Sequence, residues 1–349
     1  MANENISNFE QLVPQLYGKY NPEIVKICQE KQNYYLENNY KFEELFQFLL
    51  KTKVPHFKFW LLDTLIQIVS QKYGNMSQET RKNFRLYILN MFNSDYENIF
   101  SEPFVMNRYC LLFNKFILYD FPENNNSIFN DIINAIYNIK DGNQKISKLN
   151  LLLQIFNCFN DEFIQYRHTY DEFKVNRTNK IKDYMRINII PNLLSVIKNI
   201  LENEEYLPDE KIVQKSLIII SQLIDWIPFE YFYNVCEIII RKLIQKYKYF
   251  KPCCDVLFMI IKKGMDTKVK RDIINTIKIN DLINNILTNK KKIDIDTLER
   301  ISDIIDLLGN FIIENFEYTK QLIKNNNNNG NDIITESFNW SCNELRYYF

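Results

Sequence analysis

Residues 211 to 226, KIVQKSLIIISQLIDW, decide the fold. Val213, Leu217, Ile220 and Ile224 recur at helical spacing on one face, and Ile212, Ile219 and Leu223 widen it. An apolar arc that wide marks a helix packed on both flanks, because a helix resting on one surface keeps a narrower stripe.

The same spacing runs through almost the whole chain, broken by short polar or proline-bearing stretches. It predicts helices near 23–37, 41–51, 55–73, 77–93, 103–119, 126–139, 145–160, 176–203, 208–226, 229–248, 250–264, 267–289, 294–323 and 331–348. The stops make chemical sense. Ser77 precedes Gln78 and Glu79 as an N-cap with an early acid, Pro103 and Pro208 suit first turns, and Gly264 stands where a helix C-terminus takes glycine. In order, these helices make about seven antiparallel pairs at spacings near 45 to 50 residues, the period of HEAT or armadillo-like arrays. The expected class is therefore an all-α solenoid of HEAT-like helix pairs, with an irregular helical bundle as the other arrangement the pattern allows.

Composition agrees. Six glycines and nine prolines serve 349 residues, too few for the turns of an all-β protein or the phosphate loops of a dinucleotide-binding fold. Heavy use of Lys, Asn, Ile, Tyr and Phe reads as bias from an AT-rich genome, and the Asn325 to Asn329 run as a surface insertion in a loop. The opening MANENISNFE has neither the positive start nor the apolar core of a signal peptide. No apolar run approaches the roughly 18 residues of a membrane span. Seven scattered cysteines, Cys28, Cys110, Cys158, Cys236, Cys253, Cys254 and Cys342, include no C-x-x-C pair and read as buried free thiols.

The sequence offers little chemistry. With only His56 and His168, a histidine triad or metal cluster has few parts to draw on. His56, between Pro55 and Phe57, reads as a capping or partly exposed residue, and His168 as loop surface. No Walker-type or G-x-G-x-x-G loop is present, so nucleotide hydrolysis is not expected. Carboxylate pairs such as Asp303 with Asp306 read as solvated helix faces. The expectation is a chain that is not an enzyme and needs no cofactor or metal.

Formal net charge is zero with a pI near 6.8, so no bulk basic field advertises nucleic-acid binding. Charge is nonetheless uneven. Between Arg241 and Lys292 there is a surplus of about ten positive charges, and Asp294, Asp296, Glu299, Asp303, Asp306, Glu314 and Glu317 then reverse the sign. Such segments are either basic and acidic stripes or ordinary charged outer faces. In a second basic segment, Lys182 and Arg186 share a helix face.

Three separated segments carry a family resemblance: Ile181 to Ile200, IKDYMRINIIPNLLSVIKNI, with its Ile-Pro-Asn-Leu step at Ile190 to Leu193; Ser221 to Pro228, SQLIDWIP; and Cys253 to Asp266, CCDVLFMIIKKGMD. His56 to Tyr73, HFKFWLLDTLIQIVSQKY, and Pro103 to Tyr119, PFVMNRYCLLFNKFILY, agree more loosely, with Asn107 and Arg108 where the family usually has Asn-Lys. In collinear order over nearly the whole chain, these resemble the exportin-T family of the importin-β, or karyopherin, superfamily. Its members are far longer, roughly 20 repeats, so the resemblance is to their amino-terminal third.

The resemblance implies a receptor that carries tRNA out of the nucleus, binding it cooperatively with Ran-GTP and releasing it in the cytoplasm after hydrolysis on Ran. It implies Ran-GTP, tRNA and nuclear pore proteins as partners, shuttling between nucleus and cytoplasm, and no catalysis by the receptor itself. Residues 1–120 would correspond to the Ran-binding repeats and 121–349 to continuing HEAT-like repeats of the exportin helical region. By this analogy Lys58 and Arg108 are candidate Ran contacts, and Lys182, Arg186, Lys262 and Lys263 candidate tRNA contacts. A generic HEAT scaffold, or a truncated paralogue without the function, is the alternative.

Overall fold

The computed structural model describes residues 2–18, 20–165, 171–207, 209–278, 294–325, 336–337 and 339–344. His168, Pro208, Lys290 to Lys292 and Asn326 to Asn329 lie outside them. The described residues are helical, without strands: α1 (Ala2–Leu16), α2 (Pro22–Glu37), α3 (Phe42–Lys51), α4 (Pro55–Lys72), α5 (Gln78–Asn93), α6 (Tyr96–Phe100), α7 (Pro103–Asp120), α8 (Ile128–Tyr137), α9 (Gly142–Asn160), α10 (Glu172–Asn188), α11 (Ile190–Glu202), α12 (Glu210–Ile224), α13 (Tyr233–Ile238), α14 (Tyr247–Lys262), α15 (Thr267–Ile277) and α16 (Ile295–Asn325). The chain divides into two compact units, residues 1–193 and 194–349. The functional boundary expected at 120/121 falls inside the first.

Helix starts follow the chemistry of their caps. Ser77 accepts from the Thr80 amide at 3.2 Å, Asp141 from Gln144 at 2.7 Å, Asp171 from Lys174 at 2.9 Å, and Asp209 from Lys211 at 3.1 Å and Ile212 at 3.2 Å. Each satisfies amides that the first helical turn leaves without an internal partner. Pro22, Pro55 and Pro103 open α2, α4 and α7, where the missing N–H costs nothing.

In the first unit α4, α7 and α9 pack side by side in chain order, with α3 against α4 and α5, α8 against α9, and α1 and α2 against α4. Both α4 and α7 bury residues around most of their circumference, as a helix flanked on each side must. An aromatic seam ties them together. Phe84 of α5 meets Phe42 at 5.0 Å, Phe46 at 5.3 Å and Tyr73 at 5.6 Å between ring centres, and Tyr73 meets Phe116 edge-on at 5.7 Å. Edge-to-face contacts of this kind add about 0.5–1.5 kcal/mol each beyond the area they bury.

In the second unit α12, α14 and α16 form the corresponding row. The opening stretch behaves as its spacing predicts. Val213, Leu217, Ile220 and Ile224 are fully buried, Ile212, Ile219 and Leu223 nearly so, and Ile218 points away and stays exposed. Stacked rows of helices within each unit are the expected all-α solenoid class.

Several boundaries differ from expectation. Helix α1 was not anticipated from the polar opening residues. The single helix expected over 176–203 is two, because Pro191 has no N–H to continue the α10 ladder; α11 restarts around it, with Leu193 N–H bonded to the Ile189 carbonyl at 3.0 Å. The helix expected over 229–248 is a 3-10 turn at Phe229–Phe232, the short α13 and a π-turn at Ile239–Leu243. Gly264 follows the end of α14 without a left-handed conformation, because Lys263 already leaves the helix extended, at ψ 129°. Of the cysteines, Cys158 and Cys342 are only partly covered; the other five are buried, and none of the seven forms a disulfide.

Candidate functional site

The expected Ran contacts lie on adjacent helices of the first row. Arg108 of α7 is half-buried, ion-paired with Asp63 of α4, and lies over the Phe59 ring at 4.8 Å. Asp63 also accepts from Gln67 at 3.4 Å and Gln32 at 3.5 Å. Beside them His56 is exposed between two rings, Tyr17 at 5.2 Å and Phe104 at 5.6 Å, and Phe59 meets both Tyr17 and Phe104. Burial, with the nearby Asp63 carboxylate adding to it, pushes the Tyr17 phenol up to about 12. The result is an aromatic and charged edge formed by α1, α4 and α7.

Lys58 is placed differently. It is only 4% exposed and its ammonium donates to the Asn98 carbonyl, while burial holds its pKa below the usual lysine range. A cleft of about 230 Å³ beside it is lined by Lys53, Glu97, Asn98, Ser101 and Glu102, so both signs of charge border it.

Of the expected tRNA contacts, Lys182 and Arg186 are half-buried on α10, and Arg186 pairs with Asp183 at 3.1 Å. Lys262 is exposed at the end of α14, with its ammonium 5.6 Å from the centre of the Phe258 ring. Lys263 reaches back to α12, donating to the Ile224 carbonyl at 2.6 Å and the Asp225 carbonyl at 3.3 Å.

Lys58 and Lys263 belong to a set that sequence reasoning missed. Lys148 donates to the Phe92 and Ser94 carbonyls, Arg177 to Leu118 at 2.8 Å and Phe121 at 2.6 Å, and Lys242 to Glu202 at 2.7 Å. Each cation answers carbonyls at or near the end of a helix about one repeat away, later in the chain for Lys58 and earlier for the others, where the helix dipole also favours positive charge. The signal was present for Lys58 and Lys148: Leu61 and Leu62 follow Lys58, and Leu151 and Leu152 follow Lys148, at the helical spacing that puts each lysine on the buried face.

The surplus between Arg241 and Lys292 is also partly answered within its unit. Arg241 pairs with Glu237 at 2.9 Å, Lys248 with Glu210 at 3.3 Å, Lys251 with Asp296 at 2.9 Å, and the buried Arg271 with Glu336 at 3.5 Å. Three of these four acids lie outside the basic segment on its far sides in sequence, and the fourth, Glu237, just precedes it. Reading 241–292 in isolation therefore overstated its field. Among the described residues no group of His, Cys, Asp and Glu is arranged to hold a metal, and no helix is long and apolar enough to cross a membrane.

The chain matches the exportin 1-like protein family over residues 102–257. It is 23% identical over 313 residues to exportin-T of Dictyostelium discoideum, covering 87% of this chain and 27% of the relative. It is 24% identical to human exportin-T over 278 residues, covering 77% of this chain and 27% of that protein. Against exportin-T of Arabidopsis thaliana the figures are 22% over 317 residues, 87% and 29%. The resemblance read from separated motifs is thus a likeness over most of the chain to proteins of which the chain spans just over a quarter of the length.

Proposed function

We propose that this chain is part of a nuclear export receptor that binds tRNA cooperatively with Ran-GTP in the nucleus and gives it up in the cytoplasm after hydrolysis on Ran. The observation that carries the reading is the likeness to exportin-T over 87% of the chain, joined to a fold of stacked helix pairs. Such a stack suits the task, because many small shifts between neighbouring helices let one elastic body couple two binding events. In this reading the receptor supplies no chemistry, meets nuclear pore proteins in transit and shuttles between nucleus and cytoplasm.

Arg108 and the aromatic edge around it are proposed to face Ran, with Lys58 shaping that surface by holding the helix end at Asn98. Lys182, Arg186 and Lys262 are proposed to reach phosphates, where shape and backbone charge dominate RNA recognition over base reading. Lys263 supports Lys262 from beneath by fixing the end of α14 to α12. Immobilised Ran loaded with GTP or with GDP tests the first half: retention of the chain on the GTP form alone is expected. Equal retention on both forms, or none, would remove Ran from the account.

The pairing of the basic surplus favours a second reading, a helical scaffold that binds proteins only. The two separate on RNA: the receptor reading expects tRNA affinity that falls steeply with salt, and the scaffold reading expects none.

A further inference from the structure

Two of the cysteines, far apart in sequence, meet in the fold. Cys110 of α7 and Cys158 of α9 stand on helices that pack side by side in the row of the first unit. Polar bonds tie the same two helices together around them: Asn114 donates to the Ile155 carbonyl at 3.0 Å, and Lys115, on α7, pairs with Glu162 just past α9 at 2.5 Å. In this seam the Cys110 S–H donates to the Cys158 sulfur, and the Gln154 amide donates to the same sulfur at 3.8 Å.

Exposure gives the two thiols different parts. Cys110 is fully buried, while Cys158 is partly open to solvent. The hydrogen bond from Cys110, helped by that from Gln154, holds the Cys158 thiol below the ordinary cysteine range, although burial and the Asp161 and Glu162 carboxylates act the other way. Burial moves the Cys28, Cys236, Cys253 and Cys254 thiols upward instead. An accessible thiol biased toward its thiolate, with a second thiol against it, is the arrangement in which a cysteine oxidises first and a neighbour then closes on it.

We propose that Cys110 and Cys158 form a peroxide-sensitive pair, with Cys158 the attacked thiol and Cys110 the resolving one. The Cys158 sulfur attacks one oxygen of hydrogen peroxide and the O–O bond breaks. The second oxygen leaves as water with the thiol proton, and Cys158 becomes a sulfenic acid. The Cys110 sulfur then attacks the Cys158 sulfur, the S–H proton leaves with the hydroxyl as a second water, and the S–S bond forms. Two thiols lose two electrons, and one peroxide becomes two waters. The bond joins neighbouring members of the row, and so fixes one step of a stack that otherwise adjusts by small shifts between neighbours. The proposal stands on the first unit alone and is independent of the tRNA and Ran reading.

The test treats the full chain, freed of reductant, with hydrogen peroxide at neutral pH. Remaining thiols are then alkylated in denaturant, and the unreduced digest is mapped by mass spectrometry. Loss of two of the seven thiols is expected, with the Cys110 and Cys158 peptides linked and dithiothreitol restoring all seven. Cys110→Ala is expected to stop at a sulfenic acid on Cys158 that dimedone captures, and Cys158→Ser to keep all its remaining thiols. The bridge map of the parent decides the matter even where a variant fails to fold. Seven thiols retained in the parent, a Cys158 sulfenic acid that does not close on Cys110, or bridges between chains through Cys158 or Cys342 each overturns the proposal.

Discussion

Lys148 carries its amino group into the interior of the first unit. It is 2% exposed, with its ammonium on the Phe92 and Ser94 carbonyls, and burial lowers its pKa to about 8. In the unfolded chain a lysine titrates near 10.5, so between these values the unfolded state binds more protons and stability rises with pH. Below pH 8 both states are protonated and the cost of burial is constant. Discounted for residual solvent screening, the gain from pH 7.5 to pH 9.5 is about 1 kcal/mol. Burial raises the Tyr17 phenol to about 12, and its stabilisation is lost only above the unfolded tyrosine value near 10, outside this window. Burial also raises the Cys236 and Cys254 thiols to about 12, which lowers stability over the same interval as the unfolded thiols ionise, so the Lys148 contribution is the difference between parent and Lys148→Met. Urea denaturation at pH 7.5 and 9.5 checks it: the parent is expected to gain about 1 kcal/mol relative to the variant over that interval, and an identical pH dependence in both would show that the proton sits elsewhere.

The elements were legible where caps and apolar spacing agreed. Ser77, Pro103 and the Lys211 to Trp226 stretch act as their chemistry dictates, because each signal is local to a turn or a face. Asp209→Ala is expected to cost about 1 kcal/mol, since it strips acceptors from the Lys211 and Ile212 amides at the start of α12. Thermal unfolding of the variant measures it, and a loss near zero would mean that water replaces the cap. Phe84→Ala, at the meeting point of rings from α3, α4 and α7, is expected to cost about 3–5 kcal/mol. A cost below about 1 kcal/mol would show that the seam closes around the gap. Boundaries were less legible where two signals competed. Pro191 splits a stretch whose apolar spacing runs on unbroken, and the π-turn at Ile239–Leu243 inserts a residue into a pattern that counts as one helix.

Across the whole molecule, what sequence could not show was partnership between repeats. Lys251 with Asp296 and Arg300 with Asp255 are each 45 residues apart, and the carbonyls capped by Lys58 and Lys263 lie 40 and 39 residues away. A count of charges along the chain treats such cations as free, while the fold assigns many of them to a neighbouring helix. What was legible was a family likeness; that Lys58 and Lys263 each turn to a carbonyl of another helix was not. The proposed receptor would then meet RNA with fewer cations than the sequence counts, and the proposal has its affinity depend on the second ligand. Cooperative binding is reciprocal, so Ran-GTP should raise tRNA affinity by the same factor by which tRNA raises that of Ran-GTP. The measurement that tests this most directly is tRNA retention by the full chain in a filter-binding titration at fixed salt, with Ran-GTP, with Ran-GDP and with neither. The account predicts that Ran-GTP alone tightens tRNA binding, by roughly 5-fold or more. Equal tRNA retention under all three conditions, or none in any, would contradict it.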